Sequence, residues 1–351
     1  MNARLSRYAL ALVLTLSALT PGCGDDASGD PQQAAVLQSV KADITADLVE
    51  LTAAAEALRA AIPAPDADGW NDQSDAQSVA AMRAAWVRAR NAYERIEGAI
   101  AVLFPDLDAA TDERYDGFLA ELPGMRDTNL FDGGGVTGVH GIERILWANS
   151  HPARVVAFES RLTGYVAAAF PRNMAEATAF RDGLVTRFVT DCRAMQTQFA
   201  PLALDTSAAF RGVIGSLEEQ QEKVELAASA EEESRYAQFT LGDMRANLAG
   251  GLRTWQRFRP WVVARGGAEL AGRIDQRFAA LQTGYSMLQG DAIPAVPEGY
   301  NPDSPSAEHQ MSPYHRLRDG IAREADPANP AGLVAEMNRA ADLLAIPRLP
   351  E

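Results

Sequence analysis

The stretch Val79-Ala-Ala-Met82-Arg-Ala-Ala-Trp86-Val-Arg-Ala89-Arg-Asn-Ala-Tyr93-Glu-Arg-Ile96-Glu97-Gly-Ala-Ile100-Ala-Val-Leu103-Phe-Pro105 decides the fold. Its apolar residues step by three or four for about seven turns, the period of a helix that buries one face, and Pro105 closes the run. The same period recurs on both sides. Val40, Ile44, Leu48, Leu51, Ala55, Leu58 and Ile62 keep it upstream; Phe180, Leu184, Phe188, Met195 and Phe199 keep it downstream. Two further runs lie beyond, Leu241 to Val262 and Leu270 to Leu288. No segment alternates in the manner of a strand. The chain reads as all-α, and long amphipathic helices bury their stripes most simply by antiparallel bundling.

Pro201 to Ser207 is the best boundary between two bundles, 35–200 and 207–351, each of ordinary domain size. Two long stretches lack periodicity, Pro105 to Thr137 and Asp291 to Pro313. Irregular segments of that length inside compact domains are often functional. At the N-terminus, Arg4 and Arg7 precede an apolar run from Tyr8 to Leu19, too short to span a bilayer as an anchor. Thr20-Pro-Gly-Cys23 comes next, so residues 1–22 read as a lipoprotein signal peptide with Cys23 as the lipid-bearing residue, and 23–34 as a flexible tether. Ordinary secretion, with Cys23 lost or free, is the alternative. Only Cys192 remains, four residues after Phe188 in an apolar pattern, so it reads as a small core residue. A net charge of −15 argues against nucleic-acid or anionic-lipid binding by surface charge.

One motif stands out beyond packing. Gly133-Gly-Gly-Val-Thr-Gly138-Val-His140-Gly-Ile-Glu143 runs from a glycine-rich loop into a helical segment. His140 and Glu143, at i and i+3, share a helix face, so an imidazole and a carboxylate can converge on one cation. The other ligands must come from elsewhere in the chain. Glu97 is the leading third candidate, at the edge of a buried stripe where a carboxylate is costly unless paired; its alternative is an intrahelical pair with Arg90 or Arg95. Asp106, Asp108, Asp112 and Asp116 supply oxygen donors in the long loop, Asp112 foremost. Glu231-Glu-Glu233 reads as a charged helix surface, and Asp243 as a structural carboxylate early in its helix. For His140 the alternative is a core histidine donating to a backbone carbonyl. His151, His309 and His315 have no comparable carboxylate partner apart from Glu308 beside His309.

Gly138 to Glu143 resembles the GxHxxE motif of the imelysin-like family, and the stretches around it resemble the EfeM/EfeO branch of periplasmic iron-uptake lipoproteins. Tyr93-Glu-Arg-Ile-Glu97 resembles that branch's Y-x-R-I-E-P helix end, with Gly98 where proline is usual. Asp106-Leu-Asp-Ala-Ala-Thr-Asp112-Glu-Arg114 resembles its D-L-D-P-A-I-D-x-R loop. Glu232-Glu233-Ser-Arg-Tyr236 through Asp243, Ala246-Asn247 and Arg259-Pro260 resembles its E-E-x-R-Y-x-H-T-D-L-x-D-F-x-A-N…R-P segment. The chain departs at Gln238 and Thr240, where the branch has histidine and aspartate. Its helices are expected to begin soon after the tether, an arrangement that resembles the short form without a cupredoxin domain.

The resemblance implies two helix bundles with a divalent or ferric ion near their interface, Fe first, with Zn or Cu as alternatives. It implies His140 and Glu143 as ligands, Glu97 and Asp112 as partners, and Glu233, Tyr236 and Asp243 lining the site. The function it implies is an envelope lipoprotein, facing the periplasm or the cell surface, that serves iron uptake beside a permease or peroxidase-type partner. A metal-dependent peptidase is the second reading. It lacks the His-Glu-x-x-His arrangement that commonly equips zinc peptidases. A structural or polysaccharide-binding envelope protein with a vestigial site is the third.

Overall fold

The computed structural model describes residues 30–121, 127 and 129–349. The stretches expected to be the signal peptide and, as far as residue 29, the tether, with Cys23, lie outside the described residues. Helices joined by turns and loops make up the described chain, with no strand among the described residues, so the fold is all-α as the periodicity predicts. No described helix is long and apolar enough to cross a membrane.

The first helix, α1 (Pro31–Ala61), starts at a proline behind Asp30, whose side chain accepts from the Gln32 amide; residues 31–34, expected in the tether, are therefore helical. It lies along α2 (Ala76–Glu94). The stretch read as one seven-turn helix is two. Ile96 (φ −124°, ψ −6°) leaves helical geometry, and α3 (Glu97–Leu103) restarts beyond it. The break falls where other backbones come closest: a Cβ on Gly98 would sit 2.4 Å from the carbonyl oxygen of Gly212. Glycine, where the related branch has proline, is what that approach admits.

The expected irregular stretch from Pro105 also folds in part. Residues Pro105–Asp112 form α4, opened by proline with Asp106 and Asp108 in its first turn, where acids complement the helix dipole, and Leu107 packs against the core. After α5 (Tyr115–Glu121) the chain reaches the glycine-rich loop and α6 (Gly138–Leu146). Then come α7 (Ala153–Glu159), α8 (Met174–Ala179), a π-helical turn over Phe180–Val185, and α9 (Thr186–Phe199). At the π turn Leu184 donates its amide to the Phe131 carbonyl at 3.1 Å, tying down the loop that leads into α6.

A second π-helical turn (Ser207–Arg211) leads into α10 (Gly212–Leu226), followed by α11 (Thr240–Ala264) and α12 (Ala268–Ser286). The chain ends with α13 (Ala307–Gln310), α14 (Pro313–Ala325) and α15 (Leu333–Leu343). One apolar core runs from Val36 to Ile346. Across the 201–206 link, α1 and α2 pack on α11, and α3 on α10. Cys192 is buried in this core, as its spacing predicts.

Candidate metal centre

The motif helix is aimed by its first residue. Gly138 has φ +73°, and a Cβ there would lie 2.3 Å from the carbonyl oxygen of Thr111. Only glycine allows α6 to begin against the last turn of α4, and that contact sets His140 beside Asp112. Trp86 on α2 fixes the same turn by donating Nε1–H to the Val139 carbonyl at 2.9 Å.

His140 is 1% exposed and stands between two carboxylates. Its Nδ1 is 2.8 Å from Glu143 Oε2, and its Nε2 is 3.4 Å from Asp112 Oδ1 with no hydrogen-bond partner. Burial works against the imidazolium, but the pull of Asp112 and Glu143 outweighs it and raises the pKa to about 9. Glu143 is fully engaged. Its second oxygen accepts the backbone amides of Tyr236 (2.9 Å) and Ala237 (2.7 Å). The motif carboxylate thus faces its own histidine and a distant turn, with no oxygen left over.

Around Asp112 a cluster of acids converges that sequence reasoning found only in part. Glu94, Glu97, Asp112, Glu219, Glu233 and Asp243 form three overlapping sets whose oxygens are close enough to share a cation: Glu94/Glu97/Asp112, Glu97/Glu219/Glu233, and Glu94/Glu233/Asp243. Two permanent cations lie among them. Arg90 donates to Asp112, Glu94, Glu233 (2.8 Å) and Asp243 (3.1 Å). Lys223 donates to Glu94 (2.9 Å), Glu97 (3.1 Å) and Glu233 (3.0 Å). Glu97 also accepts from Asn247 at 2.9 Å. Its alternative pairing does not form, because Arg90 is spent on four other acids and Arg95 on Asp47.

Six carboxyls exceed two fixed charges, and protons make up part of the deficit. Burial, then the charge of Glu219, pushes Glu97 well above the carboxylate range. Burial does the same for Glu94 against the pull of Arg90. Burial lifts Glu219 to about 8 and Asp243 to about 6. Asp112 and Glu233 go the other way: burial opposes their ionisation, but Arg90 holds Asp112 below the usual range, and Lys223 and Arg90 do so for Glu233. Asp243 Oδ2, like His140 Nε2, is buried without a partner.

The remaining candidates fall elsewhere. The Glu231–Glu233 run is no helix surface; it lies on the turns between α10 and α11, with Glu232 and Glu233 buried. Tyr236 turns its hydroxyl away from the acid cluster to donate to Glu159, and stacks against His151 at 4.6 Å. His151 Nε2 sits 2.8 Å from the Arg144 carbonyl, so it is committed to backbone. Asp108 accepts from Tyr93 at the cluster's edge, and Asp116 pairs with Arg235. Gln238 adopts φ +55° and donates to the Arg235 carbonyl; Thr240 is buried at the start of α11 with its hydroxyl unpartnered. The missed residues are Glu94, Arg90, Lys223 and Glu219. Lys223 lies on the face of α10 that also buries Val213, Leu217, Gln220 and Val224, but Glu219, Gln221 and Glu222 around it make the stretch look solvated in the sequence.

An all-α chain whose GxHxxE helix carries a buried histidine to a carboxylate cluster has the build of one class, and this chain belongs to the imelysin family, whose model matches residues 34–300. It is similar to the iron uptake system component EfeO of Escherichia coli, Shigella flexneri and Shigella sonnei. Each is 25% identical over 256 residues, covering 70% of this chain and 57% of the relative. The chain thus spans little more than half the length of those relatives.

Proposed function

We propose that this protein is an envelope-anchored metal-binding protein that serves iron uptake, taking up a cation at the His140–Asp112 face of the acid cluster and passing it on without covalent chemistry. One observation carries the reading: a buried imidazole nitrogen with no hydrogen-bond partner lies 3.4 Å from Asp112, and Asp112 belongs to a group of acids that outnumber the fixed cations. His140 Nε2, Asp112, Glu94 and Glu97 are the donors we assign to the ion. Mixed imidazole and carboxylate donors suit Fe, Zn, Cu or Mn, and similarity to proteins named for iron uptake favours iron.

Glu143 takes a different part from the one its spacing suggests. With one oxygen on His140 Nδ1 and the other on two amides, it orients the imidazole and keeps the far nitrogen free, the usual service of a carboxylate behind a metal-bound histidine. Anchoring through a lipid on Cys23, and delivery to a permease or peroxidase-type partner, complete the proposal.

The test is calorimetric titration of the purified mature chain with Fe(II), Zn(II) and Cu(II), beside His140→Ala. Stoichiometric binding that weakens about 100-fold or more in the variant is expected for a lost ligand. Equal affinity in the two proteins would sink the assignment. Metal-dependent peptide cleavage lost in His140→Ala would replace it with the peptidase reading.

A further inference from the structure

The ammonium of Lys223 stands where the candidate cation sets overlap. Lys223 is 1% exposed, and its three N–H donors meet Glu94, Glu97 and Glu233 at 2.9, 3.1 and 3.0 Å. Every one of the three acid sets takes two of its members from these same residues. A cation entering any set therefore contests at least two carboxylates with Lys223.

Arg90 also touches the cluster, but its nature differs. A guanidinium spreads its charge over a planar fork, here engaged by four acids at once, whereas a lysine is a compact charge on a four-carbon stem that can swing. Lys223 also has somewhere to go. Glu219 lies one turn earlier on α10, half-buried, and shares a set with Glu233.

Resting on the functional reading above, we propose that Lys223 is a tethered counter-cation: it holds the acids together while no metal is bound, and it leaves Glu94 and Glu97 as the metal arrives. It keeps Glu233 and gains Glu219. At Glu94 and Glu97 the ion takes the place of the ammonium, so the positive charge facing those two carboxyls rises by less than the charge of the ion, and the attached ammonium is always at hand to take them back. Lys223 thus sets both affinity and release.

Competition titration with Zn(II) of the wild-type mature chain, Lys223→Met and Lys223→Arg tests this. Removing the competing charge is expected to tighten Zn(II) binding by about tenfold or more in Lys223→Met, on the scale of close charge-pair couplings. Lys223→Arg, with a fork that is harder to displace, is expected to bind more weakly than wild type. Unchanged or weaker binding in Lys223→Met, beside wild-type binding that depends on His140, overturns this inference alone. No His140-dependent binding in wild type and Lys223→Met alike overturns the functional reading and this inference with it. If Lys223→Met does not fold, a crystal structure of Zn(II)-loaded wild type decides: Nζ beyond about 4 Å from Glu94 and Glu97 supports displacement. All three contacts intact beside bound metal overturns it.

Discussion

Two buried ionic networks lie side by side, joined through α6 and the turns at 231–239, and they are built on opposite principles. Arg144 and Arg235 face Glu159 and Asp116. Arg144 donates twice to Glu159 at 3.1 Å and lies 3.9 Å over the Tyr115 ring, while Arg235 donates to Asp116 and sits over Phe158 and Tyr236. Two cations meet two anions, with aromatic faces against the spare guanidinium edges. Its charges balance, while Arg144 Nη1 and Arg235 Nε and Nη1 are themselves buried without a hydrogen-bond partner. The neighbouring one sets six carboxyls around Arg90 and Lys223 and leaves His140 Nε2 and Asp243 Oδ2 without partners. Side-chain chemistry is the same in both, so the arithmetic of charge distinguishes a strut from a site.

The largest effect should come from removing the central cation of each network. Arg90→Met takes one cation from four acids, of which Glu94 and Glu233 keep Lys223, and Arg144→Met leaves Glu159 with Tyr236; each should destabilise the metal-free fold by about 3–5 kcal/mol in denaturant unfolding, as loss of one partner from a buried pair does. Saturating Zn(II) should restore much of the loss in Arg90→Met and none in Arg144→Met. Equal recovery in both would erase the distinction between the networks.

A smaller change should sharpen it. Glu143→Gln keeps the shape behind His140 but weakens its hold on Nδ1, and Zn(II) affinity should fall about 10–100-fold, as outer carboxylates behind metal-bound histidines require. An unaltered binding isotherm would mean that Glu143 merely joins α6 to the turns at Tyr236.

The mildest test is pH. Protons on Glu219 (about 8), Asp243 (about 6) and His140 (about 9) are bound more tightly in the folded chain than in the unfolded one. The folded state therefore binds more protons between the ordinary pKa of each group and its raised value, and stability falls as pH rises through that window. Melting of the metal-free chain should drop steadily from pH 6 to about pH 9. The same protons must leave when a cation is bound, so Zn(II) affinity should climb over the same range. A metal-free melting temperature that rises with pH there would contradict the assigned protonation.

Helical periodicity was enough to reveal the helices, because a buried stripe repeats wherever a helix packs. It carried straight through Ile96, since the break keeps apolar residues on both sides and is set by α10 and α11, which lie more than a hundred positions later in the chain. Glu97 and Asp112 were legible because each sits at the edge of a patterned segment, and His140 because its carboxylate partner is three residues away. Glu94 and Lys223 were not. One falls beside Tyr93 in a run already accounted for, and the other sits in a polar stretch that looks solvated until the fold buries it. Burial of a charge is a tertiary fact, written in no local window.

The charged groups of the cluster are scattered along the chain: Arg90 and Asp243 alone are 153 positions apart. A polypeptide that has not yet collapsed offers a metal only isolated, weakly attracting side chains, and the grip appears when distant segments have docked. Under the proposed function, ion retention is then a report on tertiary structure, and a tally of loaded copies is a tally of correctly assembled ones.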